Sequence, residues 1–178
     1  MRMSCAPCLV ALLLTTARCW AAPPSEYQVK AVFLFNFAQF VEWPARAFTD
    51  TQAPFVIGVL GKDPFGPQLD AVVRGETVNN RPLLIERYRN IAEVRSCNIL
   101  FIGRTETGEL PHILEALKGR SILTVTDAEE GAPGGVMIRL VTRSNHIRLR
   151  IDVGAAKAGN LVISSKLLRP AEIVGGQG

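Results

Sequence analysis

Histidine, tyrosine and tryptophan each occur only twice in the 178 residues, so the chain has few side chains with which to do chemistry. His112 and His146 stand far apart, and neither is near another cysteine or histidine at ligand spacing, so zinc has nothing to hold it. Charge of one sign is also scarce. Twenty bases face 16 acids, a net +4 with no basic cluster, which argues against a nucleic-acid partner. Long apolar runs are missing as well. The best candidate, Val29 to Trp43, is interrupted by Lys30, Asn36, Gln39 and Glu42, so it does not read as a membrane span. Hydrophobic residues at 48% still provide for an ordinary globular core.

Three of the four cysteines, Cys5, Cys8 and Cys19, fall within the first 19 residues. That stretch has the layout of a secretory signal: Arg2, an apolar run from Cys8 to Ala17, then small residues around Ala21-Ala22. Arg18 before Cys19 speaks against a lipoprotein signal. The expected division is therefore a removed signal peptide, 1–21, and a single mature domain, 22–178. Removal takes Arg2 and Arg18 and no acid, so 18 bases face 16 acids and the net charge falls to +2. Cys97 alone remains, which excludes a disulfide within the mature chain.

The mature chain alternates helical and strand patterns. Ser25 to Trp43 lacks internal glycine and proline and stops at Pro44, which predicts a helix. It is apolar nearly all round, with Phe33, Phe35 and Phe40 among its aromatics. Such a helix either is roofed by other elements or offers a surface to a partner. Pro54–Gly61, Pro82–Tyr88, Cys97–Gly103 and Ser121–Asp127 read as strands, the first a continuous apolar run suited to a buried parallel sheet. Asp63 and Pro64 read as the cap and first residue of a helix, and Thr107–Lys118 as another helix. Beyond Gly134-Gly135 the period changes to two, predicting an antiparallel hairpin across Arg143-Ser144-Asn145 with Arg139, Arg148 and Arg150 facing outward. Ala155 to Leu168 reads as a final helix. The pattern predicts an α/β fold, a three-layer sandwich with a mostly parallel sheet, an antiparallel C-terminal hairpin and helices on both faces.

Catalytic motifs are absent. Gly58, Gly61 and Gly66 do not form G-x-G-x-x-G, and Val56 stands where a phosphate-binding loop before Gly61-Lys62 requires glycine. No G-x-S-x-G occurs, and Ser164-Ser165-Lys166 lacks S-x-x-K spacing. Cys97 opens an apolar strand, where a buried, inert thiol is expected. Glu129-Glu130 reads as solvated charge. The sites left open to a small ligand are the strand ends at Gly61, Asp63 and Asp127.

The order of several segments resembles the YfiR-like periplasmic proteins. They are Phe40-Val41-Glu42-Trp43-Pro44, Ile57-Gly58-Val59-Leu60-Gly61 with Asp63-Pro64-Phe65-Gly66, Cys97-Asn98-Ile99-Leu100-Phe101-Ile102, Ile122-Leu123-Thr124-Val125-Thr126-Asp127 and Ile163-Ser164-Ser165-Lys166-Leu167-Leu168. The resemblance runs from about Tyr27 to Val174. It implies a non-catalytic α/β domain without cofactor, often a homodimer, that binds the periplasmic domain of an inner-membrane diguanylate cyclase and represses it. It further implies release by an OmpA-like outer-membrane lipoprotein, and hence control of cyclic-di-GMP signalling and biofilm from the periplasm. The sequence departs from the type member in having one mature cysteine, and Asp152 stands where relatives often have Asn. The surfaces expected to meet a partner are the helix aromatics Phe33, Phe35 and Phe40 and the basic stripe Arg139, Arg148 and Arg150. The other reading is a periplasmic small-ligand binding module.

Overall fold

A computed structural model of the chain describes residues 24–128, 134–144 and 146–175. The expected signal peptide with Cys5, Cys8 and Cys19, the Glu129-Glu130 pair, and Asn145 of the hairpin turn lie outside the described residues.

The first helix, α1 (Glu26–Phe40), starts where its sequence can satisfy its own free amides. Ser25 Oγ accepts from the Gln28 amide while the Gln28 side chain accepts from the Ser25 amide. The helix ends three residues short of the expected Trp43. Val41 and Glu42 form a short strand, β1, antiparallel to β9 (Val162–Ile163). A cross-chain ladder thus ends the helix before Pro44 would.

An eight-stranded, mostly parallel sheet carries the fold. Its strands are β2 (Phe55–Leu60), β3 (Thr77–Val78), β4 (Arg81–Tyr88), β5 (Ile99–Ile102), β6 (Leu123–Thr126), β7 (Ile138–Arg143), β8 (His146–Asp152) and β10 (Glu172–Val174). Their order is β10-β8-β7-β6-β5-β2-β4-β3, with β7/β8 and β3/β4 the antiparallel pairs. Every residue of β2, β5 and β6 is buried, which is why these strands read as unbroken apolar runs. Alternate residues feed two cores. Ile57, Val59, Ile99 and Phe101 meet Leu34 and Phe37 of α1, whereas Leu60, Leu100 and Ile102 meet Leu110 and Ile113.

Three further expectations need correction. Asp63 and Pro64 do not open a helix; α2 (Pro67–Val73) begins three residues later, with Pro67 in the first turn, and Asp63 instead closes a turn by accepting from the Phe65 and Gly66 amides. Thr107 begins no α-helix, since a 3-10 segment, Arg104–Glu109, precedes α3 (Leu110–Ala116). The final helix is broken. α4 (Val153–Ala158) stops at Gly159, Asn160 turns with φ +58°, and α5 (Ser165–Leu168) follows β9. A left-handed residue cannot continue a right-handed helix. Among the described residues no helix is long and apolar enough to cross a membrane.

Candidate functional site

The most concentrated polar chemistry lies at the carboxyl end of β6, where Asp127 is 3% exposed. Its Oδ2 accepts from Lys30 Nζ at 2.7 Å, Tyr27 Oη at 2.9 Å and Arg104 Nε at 3.1 Å. Its Oδ1 has no hydrogen-bond partner among the described residues. Lys30 is fully buried in the largely apolar α1 and is tied also to Glu26, one turn earlier. Glu26 in turn accepts from Thr142 Oγ1 at 2.8 Å and Arg104 Nη2 at 3.1 Å. One chain of ionic contacts and hydrogen bonds therefore stitches α1, the end of β6, the segment after β5, and β7.

The environment shifts these groups in interpretable directions. Burial and the adjoining Asp127 carboxylate push the Tyr27 hydroxyl up to about 12. Burial alone would raise Glu26, but hydrogen bonds from Lys30 and Thr142 and the nearby cationic charges hold it below its ordinary value. The cluster fits a fixed clamp better than a proton-transfer site, because its charges compensate one another at short range. Among the described residues no three His, Cys, Asp or Glu side chains gather as a metal would require.

Gly61 and Asp63 sit elsewhere. Gly61 follows β2 with φ +82° and donates its amide to the Tyr88 carbonyl, and Asp63 Oδ2 holds Arg87 at 2.7 Å. β5 stands between β2 and β6, and Asp63 and Asp127 share no partner. Lys30, Tyr27, Glu26, Arg104 and Thr142 were not singled out by the sequence reading. The available signal was a lysine inside an apolar helix, four residues after a glutamate, which requires a buried counter-charge somewhere.

The basic stripe occupies one face of the β7/β8 pair. Arg139 lies opposite Arg150 and Val141 opposite Arg148, so all three arginines share a face, and neither apolar core takes a residue from it. Arg148 is exposed; Arg139 and Arg150 are half-buried. Arg150 Nη2 pairs with Glu172 of β10 at 3.0 Å. Burial and the facing Arg150 charge lower the Arg139 guanidinium. The helix aromatics Phe33, Phe35 and Phe40 are half-buried and packed against the larger core, and Lys166 Nζ lies 5.1 Å over the Phe40 ring. Close to Phe40, Val162 of β9 is 60% exposed. Cys97 is a free, buried thiol.

The family model described as YfiR/HmsC-like matches residues 27–172. No curated protein matches the chain.

Proposed function

The chain belongs to the YfiR/HmsC-like family, and from that premise we propose that it represses an inner-membrane diguanylate cyclase by binding that enzyme's periplasmic domain. The family supports a periplasmic regulatory role in the general sense. In the proposed reading residues 1–21 direct export and are removed, and residues 22–178 act as one non-catalytic domain built in three layers. The chain works as a homodimer, and an OmpA-like outer-membrane lipoprotein relieves repression by sequestering it. Cyclic-di-GMP output, and with it biofilm formation, falls while the cyclase is bound and rises on release, without the regulator touching the nucleotide.

The observation that carries the contact surface is the β7/β8 register, which gathers Arg139, Arg148 and Arg150 on one sheet face outside both cores. Guanidinium groups on a rigid sheet suit carboxylates of a partner protein, and arginine is enriched at such contacts. The half-buried rims of Phe33, Phe35 and Phe40, with exposed Val162, form a second, separate contact in this reading, since α1 packs on the sheet face opposite the stripe.

Affinity capture from a native periplasm with the tagged chain tests the reading, together with cyclic-di-GMP measured in a deletion strain. Capture of a membrane-anchored cyclase and a rise in cyclic-di-GMP on deletion are the expected results. Arg148→Glu is the sharper variant, because Arg148 is exposed whereas Arg150 also holds Glu172. It is expected to weaken partner binding by about tenfold or more, the scale of one lost charge-assisted contact. Unchanged affinity removes the stripe from the interface. Recovery of no cyclase, with a small molecule co-purifying instead, overturns the repressor reading in favour of a ligand-binding module.

A further inference from the structure

A second polar feature lies at the opposite end of the sheet from Asp127, where β2, β5 and β6 begin. A cleft of about 310 Å³ opens there, and its walls carry Arg46, Arg95 and Arg120 but no carboxylate. The floor is fixed by hydrogen bonds to Asn98. Asn98 Oδ1 accepts from the Val56 amide at 2.9 Å, and the Asn98 carbonyl accepts from the Leu123 amide at 2.8 Å and Trp43 Nε1 at 3.2 Å. Phe48, Val56 and Ile122 give the cleft an apolar side.

The three guanidinium groups are unequally engaged. Arg120 donates to the Val94 carbonyl at 3.0 Å and the Arg95 carbonyl at 2.7 Å, so it is held in place with three of its five N–H donors unused among the described residues. The guanidinium groups of Arg46 and Arg95 have no hydrogen-bond or ion-pair partner among the described residues. Arg81 stacks on Phe48 with its guanidinium carbon 3.9 Å from the ring centroid, adding positive charge behind the apolar wall. At the floor, the Cys97 thiol feels the Arg120 charge more strongly than that of Glu86. Like charges converging on one concavity, with no carboxylate among its described lining residues, mark a place where an external anion is favoured.

We propose that this cleft binds a small organic phosphate monoester, its phosphate held by Arg46, Arg95 and Arg120 and its apolar body laid against Phe48, Val56 and Ile122. A phosphate monoester carries close to two negative charges at neutral pH and three terminal oxygens, which offsets three guanidiniums better than a single carboxylate does. The volume is at the small end of ligand sites, room for a head group and about one ring. The site is independent of the repressor surface and stands or falls without it.

Titration calorimetry on the mature chain, with phenyl phosphate, inorganic phosphate and benzoate as probes, tests the proposal. Phenyl phosphate is expected to bind roughly tenfold more tightly than either control, because only it supplies both the dianion and the ring. Arg46→Gln and Arg95→Gln, both at exposed positions, are expected to weaken it about tenfold each, the scale of one charge-assisted hydrogen bond. Arg148→Gln, on the β7/β8 face, is expected to leave the affinity unchanged. No phenyl phosphate binding at concentrations on the order of 10 mM overturns the site. Undiminished binding in the Arg46 and Arg95 variants overturns it too. Benzoate binding as tightly as phenyl phosphate overturns the phosphate assignment.

Discussion

Replacing Asp127 with alanine strands an ammonium group that water cannot reach. Lys30 is 0% exposed, and after the substitution only Glu26 would remain to balance it, through a carboxylate whose side chain is itself 36% exposed. Breaking a buried ion pair by deleting one partner costs about 3–5 kcal/mol, and the remaining Glu26 contact places this case near the lower end. For a chain of this size about 3 kcal/mol corresponds to a fall in Tm of roughly 6–12 °C. Lys30→Met is expected to cost less, about 2 kcal/mol, because Tyr27 and Arg104 continue to donate to the orphaned carboxylate. The Lys30→Met/Asp127→Ala double variant leaves neither charge unpaired. Its loss should therefore fall short of the sum of the single losses by at least about 1 kcal/mol. Urea denaturation of the four proteins, with the slope checked for constancy, measures all three quantities. A loss under about 1 kcal/mol for Asp127→Ala, or strict additivity in the double variant, refutes the assignment of the pair as a buried clamp.

Three further outcomes follow from local geometry. Burial pushes the Cys97 thiol up to about 12, with Arg120 opposing and Glu86 assisting, so a thiol reagent at pH 8 should modify the folded chain orders of magnitude more slowly than the urea-unfolded chain; comparable rates would show the thiol to be accessible. A Cβ at Gly58 would meet the Tyr88 ring at 2.6 Å and Leu100 at 3.0 Å, so Gly58→Ala should cost about 1–3 kcal/mol by overcrowding, and a thermal shift within experimental error would contradict it. Glu26 and Asp70, the latter through Arg87, are held below their ordinary values of 4.5 and 3.8. The unfolded chain therefore takes up protons first, so this stability is complete above about pH 4.5 and drains as the pH falls toward the depressed values. Both carboxylates are partly exposed, so each contributes less than about 1 kcal/mol, and Glu26→Gln should flatten the acid limb of a urea-midpoint profile.

Central strands were the most legible part of the chain. A strand buried on both faces must be apolar throughout, and Phe55–Leu60, Ile99–Ile102 and Leu123–Thr126 are recovered within the expected runs. Helix boundaries were less legible where the deciding contact is remote. Nothing near Val41 announces that Ile163 will pair with it, yet that pairing ends α1. Likewise Asp63 has a capping residue's chemistry, but its carboxylate closes a turn and holds Arg87.

By itself, then, the sequence determined what short-range periodicity and local hydrogen bonding can encode: the first helix, the buried strands, and, among the described residues, a single cysteine, Cys97, with little reactive chemistry around it. Tertiary structure alone decided which charges meet. Lys30 and Asp127 are 97 residues apart, and their contact depends on the strand order that sets β6 beneath α1. Arg46, Arg95 and Arg120 likewise share a cleft only because three parallel strands begin at the same edge. Apart from helical pairs such as Glu26 and Lys30, charge partners are fixed by packing and not by spacing along the chain.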